Sequence, residues 1–145
     1  MTTAVVMVEN DTSMNELRKY LESRGIQPSF HRLKILEYLT THRTHPTVEN
    51  IHKALSREIP TLSKTTIYNT LKLFLSKGLV WGLTIDENKV RYDFNTEPHA
   101  HFKCIKCGRV LDVSLELPPL GSIEGHKVME THLYLKGICK DCMKS

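Results

Sequence analysis

The first half of the chain is written in helical period. Leu17, Tyr20 and Leu21 follow one another at helical spacing behind Ser13, which with Glu16 makes a capping-box pattern, and Gly25 supplies a stop. Leu33, Leu36 and Leu39 predict a second helix from Phe30 to about His42. Pro46 interrupts "THPT", Thr47 stands ready to cap a third helix carrying Val48, Ile51, Ala54 and Leu55 on one side, and Pro60 closes it. Ser63 caps a fourth, "KTTIYNTLKLFLSKG", with Ile67, Leu71, Phe74 and Leu75 facing inward and Gly78 at its end. Its outward positions are Lys64, Thr65, Tyr68, Asn69 and Lys72, with no acidic residue between Ser63 and Lys77. The period then drops from 3.6 to two: "LVWGLTI", a loop "DEN" and "KVRYDF" read as two strands of a hairpin. Residues 1–12 are expected to form a loose tail.

Helices followed by a hairpin, in this order, make a winged helix-turn-helix. The third and fourth helices, joined by "IPTL", form the turn unit, and the fourth is expected in the major groove of DNA. Lys, Thr, Tyr and Asn are all groove or phosphate contactors. Residues 95–98, "NTEP", read as a hinge. Beyond it come a strand, a CxxC knuckle, the strand "RVLDVSL", an irregular "ELPPLGSIEG", the strand "KVMETHLYL" and a last CxxC. The expected fold is therefore α+β: a winged-helix domain over 1–94, the hinge at 95–98, and a small α/β, zinc-binding domain over 99–145.

Charge sharpens this division. Residues 1–92 carry 13 Lys+Arg against 9 Asp+Glu, whereas residues 93–145 carry 7 of each. A basic surplus confined to the helical half favours a polyanionic partner over simple solubility. Apolar residues make up 40% of the chain, enough for an ordinary core. The apolar run Ala4 to Val8 lacks a basic leader and a cleavage site, and nothing approaches the roughly 20 apolar residues of a membrane span, so a soluble, cytoplasmic protein is expected.

All four cysteines lie in the neutral half, as Cys104-x-x-Cys107 and Cys139-x-x-Cys142. A single pair would leave a redox disulfide open; two pairs close a tetrahedral zinc site. That site would staple a domain of about 50 residues, too small to rest comfortably on its core alone. A His₂Cys₂ site from His99, His101, Cys104 and Cys107 would strand Cys139 and Cys142, so "HAHFKCIKCGRVLD" is read as contributing to two sites. His99 and His101 share one face of an extended segment, and Asp112 on the following strand can return beside them. Asp93 and His45 are further imidazole and carboxylate donors, which spacing alone does not assign. A site built from such donors suits Fe²⁺, Mn²⁺ or Zn²⁺. His31, His42, His52 and His126 are read as surface residues.

"HPT", "SKTTIYNTL", "RYDF", "HAHFKCIKCG" and "GICKDC" together resemble the Fur superfamily of metal-sensing repressors, over about Met14 to Cys142. The resemblance implies a winged helix, a dimerisation domain, a pseudo-palindromic double-stranded operator and a homodimer. It places structural Zn²⁺ on Cys104, Cys107, Cys139 and Cys142, and regulatory Fe²⁺ or Mn²⁺ on His45, Asp93, His99, His101 and Asp112. Arg32 and Tyr68 fall on positions used for DNA. Asp112 and Asn69 resemble the peroxide-sensing branch, in which oxidation of a ligand histidine releases DNA; the vulnerable residues would be His45 and His99. Glu and Arg at those two positions would have marked the iron-uptake branch, the alternative reading. The chain departs from the family at Ser29-Phe30-His31-Arg32, in the shortened stretch between Asp112 and Gly125 that holds Pro118, Pro119 and Gly121, and at Thr131, where the family has a histidine. A non-haem iron metalloenzyme is the rival class. Five protein ligands would leave it little room for substrate, and the chain has no nucleophile elbow, phosphate loop or HExxH, so no enzymatic activity is expected. A constitutive, metal-independent DNA-binding protein is a third option.

Overall fold

The computed structural model describes residues 13–94, 99–115 and 120–144. The expected tail at 1–12, the hinge at 95–98, the Pro118-Pro119 pair and the side chain of Ser13 lie outside the described residues. The chain divides into two compact units, residues 1–96 and 97–145.

The first unit holds α1 (Ser13–Ser23), α2 (Phe30–Thr41), α3 (Val48–Leu55) and α4 (Lys64–Ser76), then β1 (Trp81–Leu83) and β2 (Arg91–Asp93). Local chemistry sets the helix ends. Ser29 and Ser63 accept the backbone N–H groups of Arg32 and Thr66, and Thr47 makes a reciprocal capping box with Asn50. Gly25 and Gly78 sit at φ 74° and 77°, and the next residues return to the last turn: Ile26 N–H donates to Leu21 O at 2.9 Å and Leu79 N–H to Phe74 O at 2.9 Å. These are Schellman endings, which need a residue free to adopt a left-handed backbone. Leu17, Leu21, Leu36, Ile51, Ile67, Leu71 and Phe74 form the centre of one core, closed below by Leu79, Val80 and Tyr92.

Two expected inward positions are wrong. Leu75 is exposed, because the helix turns Leu71 and Phe74 to the core and carries Leu75 past it; Ala54 is exposed for the same reason beside Ile51 and Leu55. The strands are also shorter than the alternation suggests. They pair antiparallel as Trp81↔Asp93, Gly82↔Tyr92 and Leu83↔Arg91. Leu79 and Val80 are spent in the helical core, and Ile85 and Asp86 turn inward, so residues 84–90 form the connecting loop.

In the second unit β3 (Ala100–Cys104) lies between β4 (Val110–Val113), antiparallel, and β7 (Leu133–Gly137), parallel. A hairpin of β5 (Ser122–Ile123) and β6 (His126–Lys127) intervenes, followed after β7 by the single turn α5 (Lys140–Met143). The expected strand "KVMETHLYL" is split. Glu124 and Gly125, at φ 49° and 84°, form a two-residue hairpin turn of the kind whose twist suits antiparallel strands, which commits His126 and Lys127 to β5. β7 begins at Leu133, where its parallel register with Ala100 starts.

Candidate metal centres and nucleic-acid face

Cys104 ends β3, Cys107 lies in the turn closed by Gly108 (φ 82°), Cys139 is the N-cap residue of α5 and Cys142 lies within it. The four sulfurs lie within 4.8 Å of one another, with Cys104 Sγ 3.8 Å from Cys142 Sγ and Cys107 Sγ 3.9 Å from Cys139 Sγ. None is in a disulfide. Sulfurs about 2.3 Å from a tetrahedral zinc are about 3.8 Å apart, so the set fits that ion without rearrangement. The backbone N–H groups of Cys107 (3.4 Å) and Cys139 (3.3 Å) donate to Cys104 Sγ. These donors, Cys107 first, pull the Cys104 thiol down to about 5. Arg109 Nη2 lies 3.5 Å from Cys139 Sγ and is the chief cause of that thiol's lowered pKa; it also pairs with Asp141 at 2.9 Å. Cys142 is pushed up to about 12, chiefly by its contact with Cys139. Sequence reasoning missed Arg109. Its one signal is a cation just after the knuckle, which is too common to select it.

On the same sheet, His101 stands directly opposite Asp112 in the β3–β4 register. Asp112 Oδ1 is 3.2 Å from His99 Nε2 and 3.4 Å from His101 Nε2, and the two rings are 4.3 Å apart. Two imidazole nitrogens converging on one carboxylate oxygen at these separations match adjacent positions around a first-row metal. His101 is 1% exposed, His99 13% and Asp112 52%. Tyr134, directly across β7 from His101, packs its ring 6.3 Å away, a neighbour the ligand spacing did not reveal. His132 pairs with Glu130 at 2.9 Å.

In the first unit, His45 Nε2 lies 3.9 Å from Asp93 Oδ2, both side chains being buried. His45 has φ 57° although it is not glycine, and its carbonyl accepts from Arg91 Nη1 at 3.1 Å. Arg91 Nε also donates to the Asp86 carboxylate. Burial lowers the Arg91 pKa.

Lys64, Thr65, Tyr68, Asn69 and Lys72 are all exposed on α4. Arg32 is half-buried; its Nη1 donates to Gln27 O at 2.8 Å, and it lines a cleft with His31, Thr66 and Asn69. Two histidines read as surface residues have structural partners: His42 stacks on Tyr38 at 4.3 Å, and His52 Nε2 lies 3.1 Å from Leu62 O.

A model of the ferric uptake regulator family matches residues 23–142. The chain belongs to the ferric uptake regulator family. The peroxide operon regulator of Bacillus subtilis (strain 168) is 36% identical over 138 residues, covering 90% of this chain and 94% of that protein. The peroxide-responsive repressor PerR of Staphylococcus aureus (strain Mu50) is 36% identical over 145 residues, covering 93% and 97%. Among solved structures, the Helicobacter pylori ferric uptake regulator Fur matches with a TM-score of 0.69 at 20% identity, covering 95% of this chain and 97% of that one. Streptococcus pyogenes PerR, a peroxide sensor, matches with a TM-score of 0.51 at 26% identity, covering 89% and 92%. The α+β architecture expected of this ferric uptake regulator family member is thus shared with solved relatives, and the two curated relatives named above are regulators.

Proposed function

We propose that the chain is a metal-dependent repressor that binds operator DNA in the cytoplasm as a homodimer and releases it when peroxide oxidises a ligand histidine. The observation that carries this reading is the division of donors. All four cysteines gather in one tetrahedral set, so the remaining cluster offers only imidazole and carboxylate. Such donors favour Fe²⁺ or Mn²⁺ over a thiolate-bound ion. The similarity to a peroxide operon regulator and to a peroxide-responsive repressor supports the same branch.

Zn²⁺ on Cys104, Cys107, Cys139 and Cys142 is structural, joining the end of β3 to α5. The family resemblance makes His45, Asp93, His99, His101 and Asp112 the regulatory ligands. The ion switches DNA binding on only by its differential affinity for the DNA-binding arrangement of the dimer. Lys64, Thr65, Tyr68, Asn69, Lys72 and Arg32 then contact the operator.

Fe²⁺ held by these residues would activate peroxide for attack on a ligand, which Mn²⁺ does poorly. One peroxide oxygen is added to a ligand imidazole and the other leaves as water. By the family resemblance the targets are His45 and His99. The altered ring is a poorer ligand, so the regulatory ion and the DNA are released.

The test is DNA binding by the pure protein with Mn²⁺ or Fe²⁺, each with and without stoichiometric peroxide, followed by peptide mass spectrometry. Both ions should switch binding on; only the iron form should be lost to peroxide, with one oxygen gained on His99 or His45. Oxygen on Cys104 or Cys107 with both histidines intact would leave an iron-uptake repressor as the better account. Repeated turnover of peroxide would favour an enzyme instead, and metal-independent binding a constitutive DNA-binding protein.

A further inference from the structure

His45 is held in a backbone conformation that an L residue adopts only when its surroundings impose it, at φ 57°. It also precedes Pro46, whose ring biases the residue before it towards extended backbone. Three consecutive residues of β2 supply the constraint. Arg91 Nη1 donates to His45 O at 3.1 Å, Tyr92 N–H donates to Pro46 O at 2.9 Å, and the Asp93 carboxylate stands 3.9 Å from His45 Nε2. The guanidinium has a second bond, to the buried carboxylate of Asp86 in the loop between β1 and β2. That carboxylate fixes the direction of the fork.

We infer that Arg91 is a positioning residue for the regulatory metal site: by bridging Asp86 and the His45 carbonyl, it holds His45 in the left-handed conformation that aims its imidazole at Asp93. This rests on the reading of His45 as a regulatory ligand. The planar fork is essential to the role. A lysine ammonium can keep the ion pair with Asp86, but its single nitrogen cannot offer the two separately directed N–H groups that reach both partners. Groups that orient a ligand while leaving the metal untouched typically tune affinity by about 10- to 100-fold. The arrangement also ties the hairpin loop to the ligand segment, so the wing and half of the metal site share one hydrogen-bonded brace.

The experiment uses full-length, zinc-loaded protein and reads Mn²⁺ affinity by competition with a fluorescent chelator, with zinc content and melting temperature in parallel. Four forms are compared: wild type, Arg91→Lys, His45→Ala and the double variant. Arg91→Lys should weaken Mn²⁺ binding by about tenfold or more with zinc content unchanged. In the His45→Ala background, the same change should cost almost nothing, because Arg91 acts through His45. A merely structural role would lower Mn²⁺ affinity by the same factor in both backgrounds, or not at all, and either result overturns the inference. Loss of affinity in His45→Ala with none in Arg91→Lys sinks the positioning role alone. Unchanged affinity in His45→Ala sinks the ligand reading beneath it. If Arg91→Lys does not fold, Asp86→Asn with Arg91→Gln removes the buried charges together and is put through the same cycle.

Discussion

Arg109 carries a consequence for the thiolates of the proposed zinc site. Its guanidinium is the first cause of the lowered Cys139 pKa, and its other bond, to Asp141, holds it there. A depressed thiol pKa keeps the ligand ionised as pH falls, so protons displace the metal only at lower pH. Arg109→Ala should raise the Cys139 pKa and move the midpoint of acid-induced zinc release upward, with Arg109→Lys between the two. Zinc release followed with a chromophoric chelator across a pH series checks this; coincident curves would mean that the guanidinium contributes nothing to the site. At this scale the sequence was legible in which cysteines come together and illegible in what surrounds them. Paired CxxC spacing selects four cysteines because thiolate chemistry leaves few alternatives. Arg109, Arg91 and Tyr134 act through three-dimensional neighbours, 30, 46 and 33 positions away respectively, and no local pattern marks them.

Elements were legible wherever a local signal sets them. Thr47 and Ser63 each predict a helix start because an N-cap is a bond between near neighbours, and Gly25 and Gly78 predict ends because the left-handed backbone favours glycine. Removing the capping hydroxyl in Thr47→Ala should cost roughly 0.5–2 kcal/mol, read as a lower melting temperature. The strands were less legible, since alternation does not say where pairing stops. Ile85 obeys the pattern of "LVWGLTI" yet lies beyond the ladder, and the Glu124–Gly125 turn redirects a segment that reads as one strand. On the proposed function, the exposed row on α4 would make two kinds of DNA contact. Lys72→Ala should weaken binding to all DNA sequences about equally and reduce the salt dependence by about one unit. Asn69→Arg should instead alter which base is preferred; a flat preference profile, measured against a randomised operator library, would mean that α4 does not read bases.

The two units are stabilised differently. The first buries a continuous cluster running from Leu17 to Tyr92. Among the described residues of the second, the buried apolar side chains are Ala100, Cys104, Val110 and Cys139, two of them thiols of the proposed zinc site. On that proposal a unit with so little apolar interior depends on its staple, and metal binding and folding there are one free energy. Cys107→Ser should therefore lose zinc and unfold the second unit while the helical unit keeps its cooperative transition. A full equivalent of zinc retained with an unchanged melting profile would contradict the tetrahedral assignment. This imbalance was foreseeable from composition, since the sequence of the second half is short and its cysteines are concentrated there. What was not foreseeable was the β4-β3-β7 order, because a parallel neighbour leaves no turn signature.

The register of the small hairpin has a practical use. The chain has a single tryptophan, Trp81, and its cross-strand partner is Asp93. Indole emission shifts with the polarity and motion of its surroundings, and paramagnetic ions quench it at short range. The protein thus carries its own optical probe beside one half of the proposed sensing centre. Occupancy by Mn²⁺ or Fe²⁺ should be readable from native fluorescence in real time, without a dye, a label or DNA, and its decay after an oxidant pulse would time the release of the ion directly.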